Sequence, residues 1–148
     1  MKANQNIKKH ILIVEDEPDF AALVESTLKT KGYSTSLAYN GEEAFSRVCE
    51  RKPDLITLDI QMPRKTGLLF YRQLKSNTAF HNIPVLVITG LTRNDREMEH
   101  MIHTFMQSDK VPSPEGFLEK PIDGQNLINV VERFLQTASA DGTEQMQI

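Results

Sequence analysis

Five short stretches at residues 10–15, 34–38, 54–59, 83–89 and 116–119 punctuate this chain, and segments of helical period fill the spaces between them. Three of the five are continuous apolar runs without in/out alternation, the pattern of strands buried on both faces of a parallel sheet. The stretch at 34–38 is weaker. The intervening segments have readable faces. Pro18 stands near a helix start ahead of Phe20, Leu23, Val24 and Leu28, and Gly32 stops that helix. Asn40 with Glu43 reads as a capping box before Ala44, Phe45 and Val48. A third helix is expected from about Gly67 through Lys75. Asn94 with Glu97 opens a fourth, carrying Met98, Met101, Ile102, Phe105 and Met106, and Asp123 opens a fifth, carrying Leu127, Val130, Val131, Phe134 and Leu135. Five β/α units predict a doubly wound α/β fold, a five-stranded parallel sheet with five helices. The 148 residues suit one such domain. Residues 1–9 read as a polar lead-in, 10–137 as the domain, and 138–148, which have no apolar period, as a disordered tail.

Composition narrows the function classes. Seventeen basic against 20 acidic side chains leave a net charge of −3, which is not the basic footprint of a protein that neutralises many phosphates. Direct nucleic-acid binding is therefore not expected, and Lys8-Lys9 reads as a solvated pair. The longest aliphatic runs, Ile11-Leu12-Ile13-Val14 and Val85-Leu86-Val87-Ile88, fall far short of the ~20 apolar residues that span a bilayer. The first is also too short for the apolar core of a signal peptide and meets Glu15-Asp16-Glu17 at once. A soluble cytoplasmic protein with no membrane partner is expected.

Several smaller signals have plain readings. The single cysteine, Cys49, excludes an intrachain disulfide and a cysteine-only zinc cage, and beside the Ala44/Phe45/Val48 face it is expected to be a buried or half-buried hydrophobe. His100 and His103 are three apart on the fourth helix but have no carboxylate or cysteine in phase, so they read as a solvated face rather than a metal site. Met98, Met101 and Met106 interleave with Ile102 and Phe105 as core. No glycine-rich phosphate loop or dinucleotide fingerprint follows the first strand.

The strand ends carry the chemistry. In a doubly wound sheet, ligands sit beyond the carboxyl ends of the strands. Here those ends are Glu15-Asp16-Glu17, Asp59, Thr89-Gly90 and Lys120-Pro121. Carboxylates converging from adjacent strands repel one another unless a cation is present. A site of few carboxylates plus waters and a phosphate suits Mg²⁺. A hydroxyl and an ammonium at the same rim suit the oxygens of a phosphoryl group.

In order along the chain, Ile13-Val-Glu-Asp-Glu-Pro18, Leu58-Asp-Ile-Gln-Met-Pro63 with Gly67, Val87-Ile-Thr-Gly90 and Glu119-Lys-Pro-Ile122 resemble the receiver (response-regulator) domain of two-component signalling. The resemblance covers about residues 10–137 and implies the flavodoxin-like receiver topology. It implies that Asp59 is the phosphoacceptor, taking a phosphoryl group from a sensor histidine kinase or a histidine phosphotransfer protein. It further implies that Asp16 and Asp59 ligate Mg²⁺ directly, with the Gln61 backbone carbonyl as a third ligand and Glu15 acting through a metal-bound water. Thr89 and Lys120 match the hydroxyl and ammonium that close on the phosphoryl group. Phe117 falls on the aromatic switch position, and the Lys120–Pro121 bond is one that relatives often hold cis. By the same resemblance, Gln61 and Leu91 control water access and so the lifetime of the phosphorylated state.

The 31 positions from Thr89 to Lys120 exceed the family's usual spacing, and the extra length falls in residues 107–116, where two prolines make a loop. This loop borders the face relatives use to meet partners, so the downstream protein target stays open. About eleven residues follow the last expected helix, too few for a DNA-binding or catalytic domain, which leaves a stand-alone module or a segment of a longer chain, with output by protein contacts. The alternative function is a Mg²⁺-dependent phosphohydrolase with Asp59 as a turning-over nucleophile. Such enzymes carry a second carboxylate two residues on as general acid, and Gln61 cannot transfer a proton. A non-enzymatic switch is the expected role.

Overall fold

The computed structural model describes residues 8–90 and 111–147. Along the chain lie β1 (His10–Val14), α1 (Pro18–Lys29), β2 (Ser34–Ala38), α2 (Gly41–Glu50), β3 (Leu55–Leu58), a short 3₁₀ turn (Pro63–Lys65), α3 (Thr66–Lys75), β4 (Val85–Thr89), β5 (Gly116–Glu119) and α4 (Gly124–Gln147). The five strands form one parallel sheet in the order β2-β1-β3-β4-β5. Each expected strand is present, with ends within two residues of those read from the sequence. The fourth expected helix, with Asn94, Glu97, its methionines and the His100/His103 pair, lies outside the described residues, as do Leu91 and residues 107–110. Four α-helices are present among the described residues.

The continuous apolar runs separate into two cores by the period-2 geometry of a strand. Leu12 and Val14, Ile56 and Leu58, and Val85 and Val87 pack on one face with Ala44 and Val48 of α2 and Leu68, Phe70, Tyr71 and Leu74 of α3. Ile11 and Ile13, Leu55, and Leu86 and Ile88 pack on the other face with Val24 and Leu28 of α1 and Leu127 and Val131 of α4. The three central strands are buried along their whole length, and the edge strands β2 and β5 are partly exposed. Among the described residues, no helix is long and apolar enough to cross a membrane.

Local sequence explains the boundaries. The Glu43 N–H donates to Asn40 Oδ1 at 2.8 Å, while Glu43 Oε1 accepts from the Tyr39 N–H at 2.7 Å. The capping box thus closes one residue further back than the simplest pattern. Pro18 opens α1 with no side-chain cap, and Gly32 takes a positive φ of 86° after its end, which glycine adopts without steric cost. Three expectations are corrected. Leu23 is 55% exposed, because the core side of α1 is carried by Ala21, Val24 and Leu28. Cys49 is exposed, since one helical step of 100° turns it away from buried Val48. The last helix continues to Gln147, so residues 138–147 are helical where a disordered tail is expected. Ala138 and Ala140 favour helix and no proline intervenes, so extending a formed helix is easier than starting one.

The edge of the sheet away from the strand ends holds a buried charge. Lys75, at the end of α3, donates to the carbonyls of His81 (3.2 Å) and Ile83 (3.0 Å) and pairs with Glu115 at 3.4 Å. Glu115 Oε1 also accepts from the Val85 N–H at 2.7 Å, and the Tyr71 hydroxyl donates to the Pro112 carbonyl. Residues 111–115 form the loop the prolines predict, tied by these bonds to α3 and to the start of β4.

Candidate functional site

The parallel register brings the chemistry-bearing strand ends to one edge. Val14 pairs with Ala38 and Leu58, and Thr89 pairs with Glu119, so the residues that follow emerge side by side. The backbone continues the ladder: Asp59 N–H donates to the Val14 carbonyl at 2.9 Å, and Lys120 N–H to the Thr89 carbonyl at 2.8 Å. Glu15, Asp16 and Asp59 each offer a carboxylate oxygen within 4.8 Å of the other two. Glu15, Asp59 and Thr89 are buried. Gly67 opens the way for this geometry. A Cβ there would lie 2.6 Å from the Asp59 carbonyl oxygen and 2.9 Å from Ile60 Cα, so the helix start can sit against the Asp59 loop only as glycine.

Lys120 reaches into this cluster. Its Nζ lies 3.0 Å from Glu15 Oε1, 3.4 Å from Glu17 Oε1 and 3.6 Å from Asp59 Oδ2, and 4.3 Å over the Phe20 ring. The Lys120–Pro121 bond is cis, as the resemblance leads one to expect. Burial alone would lower the lysine pKa. The hydrogen bond to Glu15, the charges of Asp59 and Glu15, and the hydrogen bond to Glu17 together outweigh it and hold the ammonium above its usual value. Glu15 shows the opposite imbalance: burial first, then the neighbouring Asp59 charge, pushes its carboxyl up to about 7 despite the Lys120 contact. One ammonium does not neutralise this pocket. Its excess of closely spaced carboxylate oxygen suits a hard divalent cation.

Gln61 closes the mouth. Its N–H donates to Asp59 Oδ1 at 2.9 Å, and its side-chain Oε1 accepts from the Thr89 hydroxyl at 3.1 Å. Phe117 stands apart: it is 56% exposed on β5, its backbone paired with Val87. The structure therefore brings Glu15, Asp16, Asp59, Gln61, Thr89 and Lys120 together and leaves Phe117 on the surface. Sequence reasoning missed Glu17 and Phe20 as partners of Lys120 and Gln61 as partner of Thr89. Glu17 extends the acidic run, a usable signal; nothing local marks Phe20, 100 positions from the lysine.

A flavodoxin-like sheet with an acidic, lysine-capped pocket at its carboxyl edge defines a receiver-type signalling domain. The profile of the response regulator receiver domain matches residues 11–132, and the chain belongs to that family, the switch module of two-component signalling. Protein Rrf1 of Nitratidesulfovibrio vulgaris is 31% identical over 127 residues, 86% of this chain and 83% of that protein. The polar-differentiation response regulator DivK of Brucella anthropi is 29% identical over 130 residues, 88% of this chain and 98% of that one. A CheY-like response regulator receiver domain protein from Methanospirillum hungatei superposes with a TM-score of 0.76 over 91% of this chain and 99% of that one; at 17% identity it speaks for the fold alone.

Proposed function

We propose that this chain is switched by phosphorylation of Asp59, receiving the phosphoryl group from a phosphohistidine on a sensor histidine kinase or a histidine phosphotransfer protein. The observation that carries the reading is the Asp59 carboxylate itself. It is buried at a strand end, with Oδ2 3.6 Å from the Lys120 ammonium and with the carboxylates of Glu15 and Asp16 beside it. An Asp59 oxygen attacks phosphorus, an O–P bond forms, and the N–P bond of the donor breaks, returning its electron pair to the imidazole. Asp16, Asp59 and the Gln61 backbone carbonyl would hold Mg²⁺, with Glu15 reaching it through water. The cation supplies charge neutralisation for the phosphoryl oxygens. Lys120 moves its pairing from the carboxylates to a phosphoryl oxygen, and the Thr89 hydroxyl donates to another.

Output follows from that local change. Thr89 turning toward the phosphoryl group frees space toward which Phe117 can move, altering the surface offered to a downstream protein. Action in the cytoplasm is part of the same proposal. The phosphohydrolase alternative lacks its general acid, because the residue two beyond Asp59 is an amide. The test is incubation with Mg²⁺ and acetyl phosphate, followed by intact-mass measurement. The wild type should gain one phosphate and Asp59→Asn none, with negligible steady turnover of small phosphate esters. Full labelling of Asp59→Asn would overturn the assignment.

A further inference from the structure

We propose that Phe20 is a positioning residue for Lys120, its ring giving the ammonium a seat inside the pocket that does not depend on the carboxylates. Among the described residues, Lys120 Nζ meets the carboxylates of Glu15 at 3.0 Å, Glu17 at 3.4 Å and Asp59 at 3.6 Å, and lies 4.3 Å from the centroid of the Phe20 ring. These contacts differ in what can take them away. Glu15 and Asp59 belong to the acidic cluster, whose oxygens suit a hard divalent cation. The Glu17 side chain is 69% exposed, so water screens its charge, and following it draws the lysine out toward solvent. The ring has neither weakness. It attracts an ammonium through the negative face of its π-system, whereas Mg²⁺ takes oxygen ligands. Phe20 stands in the first turn of α1 and packs against the core that includes Val24 and Ile88, which fixes where the ring is held.

The proposal deepens the phosphoacceptor reading and rests on it. Once the Asp59 and Glu15 carboxylates turn to a cation, two seats remain for the ammonium. One is beside Glu17, facing solvent; the other is over Phe20, within reach of a phosphoryl group on Asp59. The ring favours the inner seat, and a lysine already held there gives up little further freedom on meeting the phosphoryl oxygen. A cation–π contact partly shielded from water shifts such an equilibrium by about fivefold. Apparent affinity for a phosphoryl mimic falls in proportion to the fraction of chains whose lysine is seated inward.

The experiment uses the full chain, with two replacements and two readouts. Phe20→Leu removes the ring, and trifluorophenylalanine incorporated at position 20 keeps the ring's shape while draining charge from its face. The upfield ring-current shift of the Lys120 Cε protons, measured without and with Mg²⁺, reads the seat directly. Affinity for beryllofluoride with Mg²⁺ reads its consequence. In the wild type the shift should be present in the unliganded chain and survive saturating Mg²⁺, and in the trifluorinated chain it should shrink once Mg²⁺ is added. Phe20→Leu should bind beryllofluoride about fivefold more weakly than wild type, with the trifluorinated chain between the two. A wild-type shift that is absent or that Mg²⁺ abolishes overturns the seat. So does a trifluorinated chain that binds as tightly as wild type, because a ring that only fills space would not respond to fluorine. A wild-type chain that binds no beryllofluoride overturns the phosphoacceptor reading instead, and the ring-current shifts still decide whether Phe20 seats Lys120.

Discussion

Gly67→Ala isolates how the fold places Asp59. The added Cβ would stand 2.6 Å from the Asp59 carbonyl oxygen, about 0.8 Å inside the 3.4 Å at which ordinary van der Waals contact begins. The opposing atoms are backbone, so no side-chain rotation relieves the overlap. Either the start of α3 or the Asp59–Ile60 loop must shift by about that distance. Overpacking of this kind costs about 2–3 kcal/mol, and a chain of this size loses about 2–4 °C of melting temperature per kcal/mol. The expected drop is about 4–12 °C. The same shift misplaces the attacking carboxylate, and a misplacement near 1 Å costs up to about a hundredfold in rate. Phosphorylation by acetyl phosphate should therefore slow by roughly tenfold to a hundredfold while the variant remains folded. Gly32→Ala is the control. Gly32 has a φ of 86° with nothing within 4 Å of a built Cβ, so it should cost about 1 kcal/mol of backbone strain and leave the rate unchanged. Melting curves and initial rates at matched temperature decide the matter. A Gly67→Ala chain that phosphorylates as fast as Gly32→Ala refutes the link between this contact and the placement of Asp59.

Three further outcomes follow from other parts of the structure. Asp16→Ala should abolish Mg²⁺-dependent phosphorylation, whereas Glu15→Ala should weaken it by roughly tenfold, as for a group acting through water; equal losses in a Mg²⁺ titration would erase that distinction. Lys75→Met should cost about 2 kcal/mol in urea unfolding, because it strips charged bonds from the His81 and Ile83 carbonyls, and should leave beryllofluoride affinity unchanged; an unfolding free energy equal to wild type would show the buried ammonium to be dispensable. Burial, then the Arg51 charge, holds His10 below its ordinary pKa, with Asp54 opposing. The unfolded chain therefore takes up its proton first, so this group's contribution is complete above about pH 6.5 and is lost as pH falls through that value toward the lower folded pKa. The melting-temperature gap between wild type and His10→Gln should narrow from pH 7.5 to 5, and a constant gap would remove His10 from the acid response.

What the sequence disclosed, and what it withheld, divides along the range of the interactions. Ile11 to Val14 and Val85 to Ile88 announce buried parallel strands by composition alone, and parallel order then requires Glu15, Asp59, Thr89 and Lys120 to share an edge. Caps such as Asn40 and Glu43 are local and therefore readable. Leu23 and Cys49 were misplaced because hydrophobicity does not state the angle at which a helix meets its sheet; one helical step separates each from a buried neighbour. The Lys75–Glu115 pair and the Phe20 ring beneath Lys120 join residues 40 and 100 positions apart, and no periodicity records such meetings. The Thr89–Gln61 bond was equally hidden, since it depends on a side-chain torsion rather than on spacing.

The Glu115 carboxylate fixes where β5 begins, by accepting from the Val85 N–H at the start of β4. Only Gly116, Phe117, Leu118 and Glu119 then separate that anchor from Lys120. The anchor acts as a zero mark on a ruler: the distance to the Lys120 ammonium is measured from it, not from the long segment before it. The number of residues between Thr89 and Glu115 therefore does not enter the spacing from Glu115 to Lys120. A loop of any length can thus lead into β5 while Lys120 keeps its place beside Glu15 and Asp59.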